Sequence, residues 1–338
     1  MGSAVNNYQP RSMLVTGGAG FIGANFVRHT LAHDPIIHIV NLDKLTYAGS
    51  LQHLTNLPNE KQHHFIQGDI SDSKLVEHIL AHHHIDTIVH FAAESHVDRS
   101  ITGPADFIQT NIVGTFTLLE AARKHWLEQE KRDFHSCRFH HISTDEVFGS
   151  LEPHDPLFNE QTPYQPRSPY SASKASSDHL VNAYHHTYGL PITLSNCSNN
   201  YGPYQHQEKF IPTIIRSCLN KQPIPIYGNG SNIRDWLYVQ DHVEAITRII
   251  QAGKIGESYN IGGNNEWNNL DLTRYICQRL NELKPSNIDY QSLITYVTDR
   301  KGHDFRYAID SSKIQRELKW QPKETFETGI EKTLVFQL

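Results

Sequence analysis

Tyr170 and Lys174 stand four residues apart in Tyr170-Ser-Ala-Ser-Lys174. That spacing puts both on one face of a helix, one turn from each other. An ammonium beside a phenol favours the phenolate, which predicts that Tyr170 works as a base well below its free pKa of about 10. A base so placed takes the proton of an alcohol while hydride leaves the same carbon. Upstream, Thr144-Asp145-Glu146 ends a hydrophobic stretch predicted as a strand. Asp145 and Glu146 are two acid/base groups that a simple alcohol oxidation does not need, so the chemistry goes beyond oxidation. The competing reading is that the acid pair caps a following turn.

These groups need a cofactor and a scaffold to hold it. Ser12 to Thr16 is predicted as a short buried strand, and Gly17-Gly-Ala-Gly20-Phe-Ile-Gly23 follows at once. Gly17 permits a tight turn, Gly20 lets the backbone approach a pyrophosphate, and Gly23 lets the next helix pack on the strand. Phe21 to His33 continues as a helix whose first amides receive phosphates. A second strand, Ile36 to Leu42, ends in Asp43, about 20 residues beyond the last glycine, where a carboxylate binds ribose hydroxyls. It would repel a 2′-phosphate, so the expected cofactor is NAD rather than NADP. Asp69 and Ile70 end a third strand where an adenine would sit. Ile88 to Ser95 ends a fourth with small residues beside the dinucleotide path.

Strand and helix patterns alternate to about Ser195, giving an α/β fold: a Rossmann-type doubly wound parallel sheet with a smaller C-terminal α/β substrate-binding lobe. The apolar runs Ile36–Val40, Thr87–Phe91, Phe139–Ile142 and Ile192–Leu194 read as central strands covered on both faces. Residues 1–10, opening on a tag-like Met-Gly-Ser, are expected to be disordered. Residues 11–198 read mainly as the NAD-binding domain and 199–338 mainly as the nucleotide-sugar domain, with 235–241 returning to the first. Later helices are expected at Phe210–Leu219, Val243–Gln251, Leu270–Leu280 and Phe326–Leu334. Thr110 to Trp126 reads as an amphipathic helix, and packing on its own sheet or on a partner both fit it.

The 338 residues, 38% of them apolar, suffice for a sizeable core. The net charge of −6 carries no long basic block, which argues against nucleic acid and anionic membrane as partners. Cys137, Cys197, Cys218 and Cys277 are too widely spaced for a metal site. With no signal peptide or long apolar span, they suggest a cytoplasmic protein with reduced thiols. The 23 histidines include His82-His83-His84 at a helix end, but no carboxylate cluster completes a ligand set, and no metal is expected.

Five segments carry a resemblance: Ala92-Ala-Glu-Ser-His-Val-Asp-Arg-Ser-Ile101, Ser143-Thr-Asp-Glu-Val-Phe-Gly149, Asn199-Asn-Tyr-Gly-Pro-Tyr-Gln205, Arg234-Asp-Trp236 and Asp299-Arg-Lys-Gly-His-Asp304. With the glycine loop and the Tyr–Lys pair, they resemble the extended short-chain dehydrogenase/reductase superfamily. Within it the chain is similar, from Met13 to Leu334, to the dTDP-glucose 4,6-dehydratases. The Thr-Asp-Glu triplet is the narrow signal, since sister families that resemble UDP-galactose epimerases carry no acid pair there.

The resemblance implies roles. Tyr170 would remove the sugar 4-hydroxyl proton as C4 passes hydride to NAD, with Lys174 tuning the phenol and holding the ribose, and Thr144 would bond the 4-oxygen. Glu146 would take the C5 proton that the new ketone acidifies. Protonated Asp145 would donate to the departing 6-hydroxyl, and hydride would return to C6. Phe21 and Ile22, Asp43, Lys44, Leu45 and Thr46, Asp69 and Ile70, and Ala92, Ala93, Glu94, Ser95 and His96 would line the NAD site, with Thr110 nearby and Asn200 at the nicotinamide end. Ser95 and Asn199 would meet the sugar or phosphates. Lys209, Phe210, Arg234, Asn269, Asp299, Arg300, Lys301, Gly302, His303 and Asp304 would hold the diphosphate and nucleoside, with Pro225, Ile226 and Tyr227 along the base. Arg234 is physically the best diphosphate ligand because its planar fork matches phosphate oxygens; the competing reading is a surface ion pair. The family further implies a homodimer and a place in deoxysugar synthesis, such as rhamnose for surface polysaccharides.

Lys301 stands where the family usually has proline, Phe148 where it has tyrosine, and Phe210 where leucine is common. None removes a catalytic group. Two other functions compete. One is another sugar-nucleotide enzyme, such as an epimerase, a decarboxylase or a CDP- or UDP-sugar dehydratase. The other is a non-catalytic NAD sensor, which would not need both Tyr170 and Lys174.

Overall fold

Successive residues of the first strand divide between two cores. In β1 (Ser12–Thr16), Met13 and Val15 join one apolar cluster and Leu14 the other, as the two-residue repeat of a strand buried on both faces requires. The computed structural model describes residues 7–299 and 303–338. Six more strands extend β1 into one sheet: β2 (His38–Asp43), β3 (His63–Gln67), β4 (Thr87–His90), β5 (Arg138–Thr144), β6 (Ile192–Cys197) and, from late in the chain, β10 (Ser258–Ile261). The order is β10-β6-β5-β4-β1-β2-β3 and every pairing is parallel. The order reverses between β1 and β4, which opens a crevice at the carboxyl ends of the strands.

The second lobe holds β7 (Asn199–Tyr201), β9 (Ile233–Tyr238) and β11 (Glu266–Asn268) in one small sheet, and β8 (Ile224–Tyr227) with β12 (Ile294–Val297) in another. Its own core gathers Ile211, Ile215, Leu272, Ile276 and Phe326. Asp235 to Tyr238 belongs to β9 in this lobe. The helix that follows, Val239–Ala252, packs on Phe21–His33, and β10 then completes the large sheet.

Several helices are wider than the sequence reading. The stretch read as Thr110–Trp126 lies in helical structure running from Pro104 to Gln129, which is underwound to a π-type helix over Ile108–Gly114. Pro104 opens it, and the underwound stretch holds Thr110, which lines the cleft, and buried Asn111. The helix Pro169–Tyr188 is bounded by local chemistry: Ser168 and Ser171 form a capping box, Pro169 opens the first turn, and Gly189 closes it at φ 71°. Tyr8, inside the stretch expected to be disordered, is packed: its N–H donates to the Gln251 carbonyl at 2.8 Å and its ring lies under Arg138. The tag-like Met1-Gly2-Ser3 lies outside the described residues. All four cysteines are buried and unbridged. No helix among the described residues is long and apolar enough to cross a membrane.

Candidate active site

The crevice is walled by the glycine loop, the ends of β2 to β6, the start of the helix Pro169–Tyr188, and Asn199, Asn200, Gln205, His206 and Lys209 of the second lobe. Gly17 has φ +71°, and a Cβ there would lie 2.6 Å from the Ala92 nitrogen; one on Gly23 would lie 2.3 Å from the Gly17 carbonyl oxygen. Any side chain would therefore push the loop out of its turn. No side chain caps the helix Phe21–His33, so its first-turn amides, along the cleft wall, are left as donors for phosphate. Asp43 accepts from the Ala19 and Leu45 amides at 2.9 and 2.8 Å, yet burial holds its pKa above the usual carboxylate value. Burial also works against charge on Asp69, but Lys44 at 2.7 Å and two bonds from Ser71 outweigh it and leave that carboxyl below the usual value. Asn111 grips the Glu94 backbone from both sides, accepting from its N–H at 2.9 Å and donating to its carbonyl at 3.0 Å. Asn199 Oδ1 and Gln205 Oε1 are buried in this wall without a donor, acceptors suited to a ligand's hydroxyls or amides. The donor and acceptor set fits a dinucleotide.

The reacting groups meet where β5 ends. Thr144, not the acids, caps the short turn Asp145–Phe148: its Oγ1 accepts from the Glu146 amide and donates to Asp145 Oδ1, both at 3.3 Å. Asp145 is 2% exposed, and its Oδ2 has no partner. Burial pushes its pKa well above the usual value, Glu146 and Asp235 push further, and Arg234 only partly opposes them. These surroundings favour the protonated form of Asp145. Glu146 beside it is half-buried. Two adjacent carboxyls sit in different surroundings, the condition for opposite proton roles.

Tyr170 departs from expectation. Its pKa is raised well above the phenol value, first by burial and then by Glu146, with a bond to Thr144 opposing. Lys174 does not reach the phenol. Its Nζ donates to the Ile142 carbonyl at 2.9 Å and lies 3.3 Å from His141 Nε2, and burial lowers its own pKa. Four-residue spacing put the two on one face, but the strand beneath supplied the ammonium with a nearer acceptor.

Other expected residues sort by lobe. The cofactor set lines the crevice except Leu45, turned at φ 55° with its amide on Asp43, and His96, which caps the helix Val97–Thr102 and lies 3.7 Å from Glu208. Ser95, Asn199 and Lys209 line it too, the lysine donating to the Ser95 carbonyl at 3.1 Å. Arg234 is buried, donating to the carbonyls of Ile233, Asp304 and Phe305 and stacking 4.3 Å from the Tyr307 ring centre, not held in a surface pair. Asp304 accepts from Tyr307 and lies 3.3 Å from Arg167. Asp299 and His303 pair at 2.6 Å near Tyr227. Ile226, expected along a base, is fully buried in the second core, because alternate residues of β8 point inward. Phe210 opens the helix Phe210–Asn220 against that core, and Asn269 opens Asn269–Leu283 with its amide on the Asn232 carbonyl. Arg300, Lys301 and Gly302 lie outside the described residues.

Sequence reasoning missed Asp178, Cys197 and Tyr307. Asp178 is fully buried and accepts from Ser143 at 2.7 Å, Tyr164 at 3.0 Å and Asn196 at 3.5 Å, with His141 Nε2 at 3.1 Å. Its position four residues after Lys174 was the available signal. Cys197 lines the crevice beside Tyr170 and Asp145, and Tyr307 feels the charge of Glu146 from the second lobe. Nothing in their spacing marks either.

A parallel sheet with a glycine-loop crevice, a Tyr–Lys helix and an acid pair at the strand end defines a nicotinamide-dependent epimerase/dehydratase. Known proteins sharpen this. The family described as GDP-mannose 4,6 dehydratase matches residues 14–333. A dTDP-glucose 4,6-dehydratase of Escherichia coli is 56% identical, over 96% of this chain and 93% of its own length. That of Neisseria meningitidis serogroup B is 53% identical, over 97% and 93%. Among solved structures, DesIV, the dTDP-glucose 4,6-dehydratase of Streptomyces venezuelae with NAD and TYD bound, is 43% identical with a TM-score of 0.87, covering 96% of each chain. A UDP-glucose 4-epimerase of Thermotoga maritima shares the fold at 26% identity and a TM-score of 0.83, covering 96% of this chain and 98% of its own. The chain belongs to the dTDP-glucose 4,6-dehydratase family.

Proposed function

We infer that this chain is an NAD-dependent lyase that converts dTDP-glucose into dTDP-4-keto-6-deoxyglucose and water. The observation that carries the reading is the buried Asp145, its pKa pushed up by that burial, beside half-buried Glu146, a pair that oxidation or epimerisation at C4 leaves idle. The glycine loop and Asp43 would hold NAD, which would supply the hydride chemistry at C4 and C6. Tyr170 Oη removes the 4-hydroxyl proton, and Thr144 Oγ1 bonds the same oxygen. Since its surroundings hold the Tyr170 pKa above the ordinary phenol value, its own proton has to pass to solvent before the phenolate takes that of the 4-hydroxyl. Lys174, fixed on the Ile142 carbonyl, presents a cation to the ribose edge of the crevice. The C4 ketone acidifies the C5 proton, which Glu146 takes, and Asp145 gives its proton to the leaving 6-hydroxyl. A proton then returns to C5, and the sum is loss of one water with NAD unchanged.

In this reading residues 11–198 mainly serve NAD and 199–338 mainly the nucleotide sugar. Lys209 and Arg234 face the diphosphate, and Asp299, His303 and Asp304 with Tyr227 face the nucleoside. The exposed apolar side chains Ile108, Val113 and Phe116 support a homodimer through that helix. Sedimentation at micromolar concentration giving a monomer would reject it. The site of action is the cytoplasm, where the product enters deoxysugar synthesis.

The test is direct. Purified protein is incubated separately with dTDP-, UDP-, CDP- and GDP-glucose, and products are weighed by mass spectrometry. Loss of one water from the dTDP sugar without net NAD consumption is the expected result. No mass change with any sugar sinks the dehydratase reading.

A further inference from the structure

The catalytic cycle inferred above sends hydride out and back on one cofactor, so the cofactor has to stay bound while it is reduced. The fold offers a device for that. Residues 202–209 leave the second lobe and border the cofactor crevice, with Gln205, His206 and Lys209 forming part of its wall. Fastenings run along the strap on the side of the dinucleotide-binding domain. The Pro203 carbonyl accepts from Asn25 at 2.9 Å, and the Tyr204 ring lies 5.0 Å from the Arg28 guanidinium carbon. At the far end Arg99 is layered between two groups: its guanidinium carbon is 3.7 Å from the Tyr47 ring centre, and its Nη2 donates to Glu208 Oε2 at 3.1 Å. Tyr47 follows the β2 end that carries Asp43, Arg99 follows β4, and Glu208 comes from the other lobe. None of these three lines the crevice, whereas their neighbours Thr46, Ala48 and Lys209 do. They form a second layer outside the cofactor.

We propose that residues 202–209 are a strap over the cofactor, latched by the Tyr47–Arg99–Glu208 stack, and that the latch sets how slowly NAD leaves. The claim rests on the NAD site inferred above. Arg suits the place because its flat cation stacks on an aromatic face while forking to a carboxylate, which Lys cannot do. Arg99 is 49% exposed, so its bond to Glu208 is screened by salt. Opening the strap would free the cofactor without disturbing Asp145, Glu146 or Tyr170.

The experiment follows release of radiolabelled NAD from the loaded enzyme during a chase with excess unlabelled NAD, at low salt and at about 0.5 M salt. Wild type is expected to release slowly, and faster in high salt. Arg99→Ala is expected to release about tenfold faster or more, with the salt dependence gone. Arg99→Lys should fall between them, and turnover at saturating NAD should stay close to wild type in both. Tyr47→Leu removes the other face of the stack and serves if Arg99→Ala fails to fold. Wild-type release rates in both Arg99→Ala and Tyr47→Leu would overturn the latch while leaving the NAD site intact. A wild-type protein that retains no label would overturn the NAD reading and the latch together.

Discussion

Replacing Asp178 tests whether the catalytic face is held from beneath. Its carboxylate receives the hydroxyls of Ser143 and Tyr164 at 2.7 and 3.0 Å and stands near the Lys174 ammonium; Asp178, Ser143 and Lys174 are buried and Tyr164 is partly so. Asp178→Ala leaves two buried hydroxyls without their acceptor, at about 1–3 kcal/mol each, so about 4 kcal/mol in all. For a chain of this size that corresponds to a fall in Tm of about 6 °C. Asp178→Asn behaves differently. Burial raises the folded pKa of Asp178 above the usual value despite its donors, so its charge is more costly in the folded state than in water. Stability from such a group is full below the unfolded pKa of about 3.9 and is lost as pH rises through the folded value, so at neutral pH the ionised carboxylate adds nothing that an amide lacks. An amide of the same shape still accepts both hydroxyls, and stability should stay within about 1 kcal/mol. Activity should not follow stability. Asp178 is the first charge that keeps Lys174 protonated against burial, so both variants should lose turnover, most at alkaline pH. Urea unfolding and the pH dependence of kcat measure the two effects. An Ala variant as stable as wild type, or an Asn variant with the wild-type pH profile, refutes the reasoning.

Glu146→Gln should stop elimination while leaving C4 oxidation possible, so a transient NADH absorbance should survive; full turnover in this variant would remove Glu146 from its role. Asp145→Asn should abolish dehydration yet stabilise the protein at pH 8 relative to pH 5. The folded pKa of Asp145 is raised, so wild type loses stability as pH rises from about 3.9 through that value, and the amide does not. Urea unfolding at the two pH values decides it, and an Asn variant weaker than wild type at pH 8 contradicts it. Gly23→Ala places a methyl 2.3 Å from the Gly17 carbonyl and should cost about 1–3 kcal/mol while disrupting NAD uptake. Calorimetric titration with NAD showing wild-type affinity would count against the packing argument.

Much of the site was legible because its chemistry is written in short-range spacing. The glycine loop follows one strand and opens one helix, Asp43 and Asp69 end or follow strands, and Thr144-Asp145-Glu146 ends another, so one sheet delivers them all to one edge. The helix Pro169–Tyr188 was bounded by its own Ser168, Pro169 and Gly189. The second lobe was harder. Its residues lie on short strands joined by turns, and whether Ile226 met a ligand or a core depended on the phase of β8 against distant helices. Asp178 showed only a helical spacing, and Cys197 showed nothing.

The sequence by itself determined which groups are present and which share an element, because a helix or strand places neighbours by a fixed repeat. The tertiary structure decided their protonation states and their partners. The Asp145 carboxyl is pushed up because the folded walls around it remove water and because the charges of Glu146 and of Asp235, ninety residues later in the chain, oppose its ionisation. Lys174 turns to Ile142 instead of Tyr170 because β5 runs beneath its helix and offers a carbonyl. Desolvation and field are sums over everything within a few ångströms, and those neighbours are gathered only when the chain has folded.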